Sequence, residues 1–98
     1  MPFFSSTPKS TFKLDLKRNK YVPVIASFDA EGHCKPLYFR YTYPDGSSEK
    51  VAIDRVEKFE NNRLFGIKYY CVITLNNIQM IVILLYMKED NRWALRLY

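Results

Sequence analysis

Ninety-eight residues make one domain, near the size at which a single core is just sufficient, and that argues against a large enclosed active site. With 48% hydrophobic and 16% aromatic residues, the chain is too apolar to remain disordered. The net charge of +5 is lopsided: residues 1–20 hold Lys9, Lys13, Lys17, Arg18 and Lys20 against Asp15, and the rest of the chain is close to neutral.

Met1 to Lys9 is polar and punctuated by Pro2 and Pro8, the composition of a flexible tail. Thr11 to Lys17 then alternates, with Phe12, Leu14 and Leu16 on one side and Lys13, Asp15 and Lys17 on the other. That is the pattern of a half-exposed strand, at an edge or exchanged between two copies. Residues 1–19 are therefore read as a basic, flexible arm, and residues 20–98 as the domain.

Tyr21 to Phe28 is the first regular strand, with Pro23 near its start, where a missing N–H matters least. Asp29-Ala30-Glu31-Gly32 is a turn that puts glycine where positive φ is cheap. Leu37 to Tyr43 alternates Leu37, Phe39, Tyr41 and Tyr43 against Tyr38, Arg40 and Thr42, and Pro44-Asp45-Gly46-Ser47 turns it back. Val51 to Val56 continues the sheet. The charged stretch Glu57 to Leu64, with Asn61 and Asn62 in it, reads as a longer connection or a short helical turn.

Gly66 opens a strand from Ile67 to Leu75, with Ile67, Tyr69, Cys71, Ile73 and Leu75 on one face. Asn76-Asn77 suits a two-residue hairpin loop, because asparagine tolerates the left-handed region that tight hairpins require. It leads into Ile78 to Met87, apolar on both alternating faces. Ten residues are too few to cross a bilayer as a helix, which needs about 20, and the Ile, Val and Tyr content favours a strand covered on both sides. After Glu89-Asp90-Asn91, a last strand runs from Arg92 to Tyr98 with Trp93, Leu95 and Leu97 on one face.

Short strands joined in sequence, with no long amphipathic helix between them, predict an all-β fold: a small antiparallel meander closed into an SH3-like barrel or a strongly bent sheet. An OB-like barrel fits less well, because its usual helical insert has little support here. The segments Val22 to Asp29, Lys35 to Arg40, Ile53 to Val56, Gly66 to Tyr70 and Asn91 to Trp93 together resemble a group of small uncharacterised proteins from Gram-positive bacteria. The resemblance runs from about residue 20 to the C-terminus. Its blocks are structural, so it implies the fold and carries no catalytic or ligand role.

Chemistry-bearing motifs are sparse. His33 beside Cys34 falls short of the four ligands of a structural zinc site, and no second histidine is present to activate a thiol. Cys71, on a strand face of Ile67, Tyr69, Ile73 and Leu75, reads as a buried small hydrophobe. Cys34 and Cys71 form no disulfide framework, and no secretory leader is evident, so a reducing cytoplasmic location is expected. Asp54, Glu57 and Glu60 alternate with Arg55, Lys58 and Arg63 as solvated ion pairs do. Asp54 shares a strand side with Ala52 and Val56, which suggests an inward-leaning carboxylate bonded by a turn or by Arg40.

These readings point away from catalysis, metals, cofactors, small-molecule substrates and membranes, and toward a binding module. The first expectation is protein interaction or assembly, with a second copy as partner and Ile81, Ile83 and Leu85 as the interface. The alternative is nucleic acid, held by Lys13, Lys17, Arg18 and Lys20 of the arm with Tyr38, Arg40, Lys68 and Tyr70 on the sheet. Aromatics interleaved with basic residues stack bases and track phosphates, although tyrosine and arginine also stabilise any sheet as cross-strand pairs.

Overall fold

The computed structural model describes residues 19–64 and 66–97, and every regular element among them is a strand. The strands are β1 (Lys20–Val22), β2 (Val24–Phe28), β3 (Cys34–Thr42), β4 (Ser48–Asn62), β5 (Gly66–Leu75), β6 (Ile78–Met87) and β7 (Arg92–Leu97). All neighbours are antiparallel, in the order β1-β7-β6-β5-β4-β3-β2. The fold is the expected all-β meander, curled strongly into a half-barrel. The expected arm strand, Thr11 to Lys17, lies outside the described residues.

Two segments produce the curl by changing partners along their length. The sheet's edge strands, β1 and β2, are consecutive pieces of one segment: residues 20–22 pair with β7, and residues 24–28 pair with β3. Pro23 sits at the switch, without an N–H to donate, and its carbonyl accepts from the Arg40 N–H at 3.1 Å. In β4, residues 48–52 pair with β3 and residues 53–62 with β5. Register irregularities between Ile53 and Arg55, and between Val56 and Lys58, bend the strand there.

The turns follow their residues. Asn76 and Asn77 have φ of 53° and 64°, the left-handed pair of a tight hairpin. The Asp29–Gly32 turn is closed by the Asp29 carboxylate, whose Oδ1 accepts from the backbone N–H groups of Glu31 and His33 at 3.0 and 2.8 Å. The His33 N–H holds the Asp29 carboxyl below its ordinary range.

Sequence and structure part company at Glu57 to Leu64. Instead of a connection or helical turn, β4 runs on to Asn62. Its outward positions are charged and its two irregularities shift the alternation, so no period-two signal reaches the sequence. The same bulge corrects the reading of Asp54. The carboxylate is exposed and accepts from Thr74 Oγ1 at 2.8 Å, while Arg40 donates instead to Ser48 Oγ at 3.2 Å.

The concave face holds the core. Phe39, Val51, Tyr69, Cys71, Ile73, Val82, Leu84, Trp93 and Leu95 are all buried there. β6 matches its expected span, Ile78–Met87, and is covered on both faces: Val82 and Leu84 face the core, while Ile83, Leu85 and Met87 form a second cluster with Ala94.

Candidate functional site

The curl leaves one end of the concave face open, as a groove of about 1050 Å³. The β2–β3 hairpin supplies one wall through Phe28, Gly32, His33, Cys34 and Lys35. The floor and the other wall come from β4, β5 and β6, with Val56, Phe59, Ile67, Tyr69 and Tyr86 as the apolar residues. These segments are far apart in sequence. Antiparallel pairing sets the floor, placing Phe59 opposite Tyr69 and Val56 opposite Cys71.

An aromatic row runs from the mouth of the groove into the core. The Phe59 and Tyr69 ring centroids are 6.1 Å apart, Tyr69 and Trp93 are 5.7 Å apart, and Trp93 and Tyr86 are 5.0 Å apart. Tyr69 joins floor to wall: its hydroxyl donates to the Cys34 carbonyl at 2.5 Å. Burial, with the neighbouring Cys34, raises the Tyr69 phenol well above its ordinary range, so it remains a neutral donor.

Phe28 and Phe59, on the groove walls, are 63% and 61% exposed, unusual for large apolar side chains in a concave site. Lys35 and Lys88 supply positive charge to the lining, while the Lys58 ammonium turns to the convex side, 4.5 Å from the Tyr70 ring centre and 3.8 Å from Glu60 Oε2. The carboxylate of the lining, Glu57, is held by Arg55, with Nε to Oε2 at 2.7 Å. The groove is thus apolar and aromatic within, and cationic around.

The basic and aromatic residues expected to meet nucleic acid lie elsewhere. Lys13, Lys17 and Arg18 fall outside the described residues. Lys20 is exposed on β1, paired with Leu95 of β7. Tyr38 and Arg40 lie on the convex side of β3, and the Lys50 ammonium sits 4.3 Å from the Tyr38 ring centre. Tyr70 lies on the convex side of β5 with Lys58 and Lys68 at 4.5 and 5.4 Å from its ring. The two groups are separate: Lys50 and Lys58 stand eight residues apart on β4, roughly 26 Å of extended chain. The protein's own ammonium groups already occupy ring faces that a base would need.

Of the interface residues, Ile81 is 37% exposed, whereas Ile83 and Leu85 are 4% and 3% exposed. His33 Nδ1 lies 3.0 Å from Asp29 Oδ2 in the exposed turn, and Glu31 completes a group whose ligand atoms fall within 4.8 Å of one another. Two backbone N–H groups already claim the Asp29 carboxylate, so the cluster is explained by the turn it closes.

The thiols give a direct check of burial. Cys71 is fully buried and burial pushes its thiol up to about 12, while partial burial also raises Cys34. A raised pKa removes the reactive thiolate. A thiol reagent at mildly alkaline pH is therefore expected to modify Cys34 slowly and Cys71 only after denaturation. Both thiols reacting at the denatured rate would contradict this packing.

The described residues include no helix long and apolar enough to cross a membrane. No family model matches the chain, and the searches of the curated proteins and of the solved structures returned no match either.

Proposed function

We propose that the protein is a non-enzymatic interaction module whose groove takes an extended segment of a partner protein. The observation that carries this reading is the pair of exposed phenylalanines, Phe28 and Phe59, on the walls of one apolar groove. At about 1050 Å³ the groove lies at the upper end of the usual range for a small-molecule pocket and has room for a short peptide segment. Its open mouth suits an extended peptide. Among the described strands β2 pairs only with β3, so its other side offers backbone groups to an added strand, with side-chain specificity left to the groove. Lys35 and Lys88 favour a segment in which acidic residues alternate with apolar ones.

Selection of random peptides against the immobilised full chain tests this. Enriched sequences are expected to alternate apolar and acidic residues. Their affinity is expected to fall at least about tenfold, or about 1.4 kcal/mol, in the Phe28→Ser/Phe59→Ser double variant. Both side chains are exposed, so the variant keeps its core. No enrichment, or equal binding by the variant, would refute the groove.

A second reading, nucleic-acid binding, draws on the Lys50–Tyr38 and Lys58–Tyr70–Lys68 groups of the convex face. A labelled single-stranded oligonucleotide separates the two, because phosphate binding weakens steeply with salt whereas binding in an apolar groove does not.

A further inference from the structure

The groove lies where two neighbouring strands part. β3 and β4 are paired from Thr42 and Ser48 up to Tyr38 and Ala52, and beyond that point β4 pairs with β5 alone among the described strands. Cys34 and Lys35 of β3 line one side of the gap, and Val56 and Phe59 of β4 line the other. The second half of β4 thus presents a free edge to the groove, and such an edge is a template for another strand.

We propose that the extended segment this groove takes is β4 of a second copy of the chain, paired antiparallel with β4 about a two-fold axis between Glu57 and Lys58. The assignment rests on the groove being a site for an extended segment, and it names the partner. In that register Arg55 stands opposite the partner's Glu60, Val56 opposite the partner's Phe59, and Glu57 opposite the partner's Lys58. The axis repeats each pair, so every charge among them meets its opposite.

The faces agree as well. Val56 and Phe59 oppose Cys71 and Tyr69 and lie on the concave side, whereas Arg55, Lys58 and Glu60 oppose Val72, Tyr70 and Lys68 on the convex side. An axis normal to the sheet keeps apolar with apolar on one face and charge with charge on the other. Neighbouring registers lose this match. A shift of one residue sets Glu57 against the partner's Glu57, or Lys58 against the partner's Lys58, and a shift of two sets Glu57 against the partner's Glu60, or Arg55 against the partner's Lys58. Like charges directly opposite are destabilising. In the single chain the four charged side chains are exposed, with Arg55 held to Glu57 and Lys58 to Glu60 along the strand. Exposed ion pairs contribute little, so the charges select the register, while burial of Val56 and the exposed Phe59 supplies the affinity.

Sedimentation equilibrium of the full chain, from micromolar to millimolar concentration, tests the proposal. A reversible dimer is expected. Arg55→Glu and Glu60→Arg are each expected to weaken it severalfold, because the axis turns one changed charge into two like-charge pairs. The double variant Arg55→Glu/Glu60→Arg exchanges the signs and is expected to restore it. Both side chains are exposed, so all three variants are expected to keep the parent's β-sheet circular dichroism. A monomer throughout would overturn the proposal, and so would a dimer indifferent to the single changes or one that the double variant fails to restore. If the chain stays monomeric while selected peptides still bind the groove, the second copy falls and the groove stands. A monomer that enriches no peptide removes both.

Discussion

Alanine at Gly66 is expected to cost about 3 kcal/mol or more, a large part of the roughly 5–15 kcal/mol that holds a domain together. Gly66 starts β5 at φ 135°, a conformation that side-chain-bearing residues rarely adopt. A Cβ there would stand 2.0 Å from the Tyr86 carbonyl oxygen and 3.1 Å from the Lys88 nitrogen. Both are backbone atoms at the end of β6, and neither can rotate aside. Relief would require β5 and β6 to separate where Ile67 and Tyr86 line the groove. Gly32 and Gly46 are the controls. They also have positive φ, 87° and 92°, but a Cβ at either meets nothing within 4 Å. Alanine there is expected to cost about 1 kcal/mol of conformational strain. Urea unfolding of the three variants gives the comparison, and equal midpoints would contradict the close approach at Gly66.

The second large effect belongs to Trp93. Its ring lies between Tyr69 and Tyr86, at 5.7 and 5.0 Å, and it is 9% exposed. It joins the aromatic floor of the groove to the core. Trp93→Ala removes the largest side chain of that row and leaves a cavity the sheet cannot close, because β7 is held on both sides, by β6 and β1. A loss of about 3–5 kcal/mol is expected, seen as a fall in Tm of more than about 10 °C. Trp93→Phe keeps an aromatic ring in the row and is expected to lose less than half as much. Equal losses for the two variants would argue that ring packing there matters little.

The legible parts of this fold are those where local chemistry and tertiary role agree. Both ends of β6 could be placed, because Asn76-Asn77 supplies a tight hairpin before it and a charged turn follows it. The inner face of β5 could be placed too, since Ile67, Tyr69, Cys71 and Ile73 alternate without interruption along the core. Beyond Val56, β4 was illegible for the opposite reason. Its inward residues, Phe59 and Asn61, face an open groove instead of a closed core, so their neighbours remain charged and the strand looks like a loop.

The groove was hidden for a related reason. In sequence, Phe28 and Phe59 look like Phe39, which is 2% exposed. Only the curl, set by segments that change partners along their length, separates an aromatic in the core from one at the mouth. Alternation sets Tyr38 and Arg40 on the strand side opposite Leu37 and Phe39, and Lys68 and Tyr70 on the side opposite Ile67 and Tyr69. Alternation carries no information about spacing along the sheet, and Lys50 beside Tyr38 and Lys58 beside Tyr70 stand eight residues apart on β4.

The most direct test of the groove is a backbone amide shift titration of the full chain with the best peptide from the selection. Shifts are expected to cluster at Phe28, Cys34, Phe59, Tyr69 and Tyr86, and to persist at high salt. Shifts confined to Tyr38, Lys50, Lys68 and Tyr70, or a response only to an oligonucleotide that vanishes as salt rises, would contradict the groove and move the binding surface to the convex face.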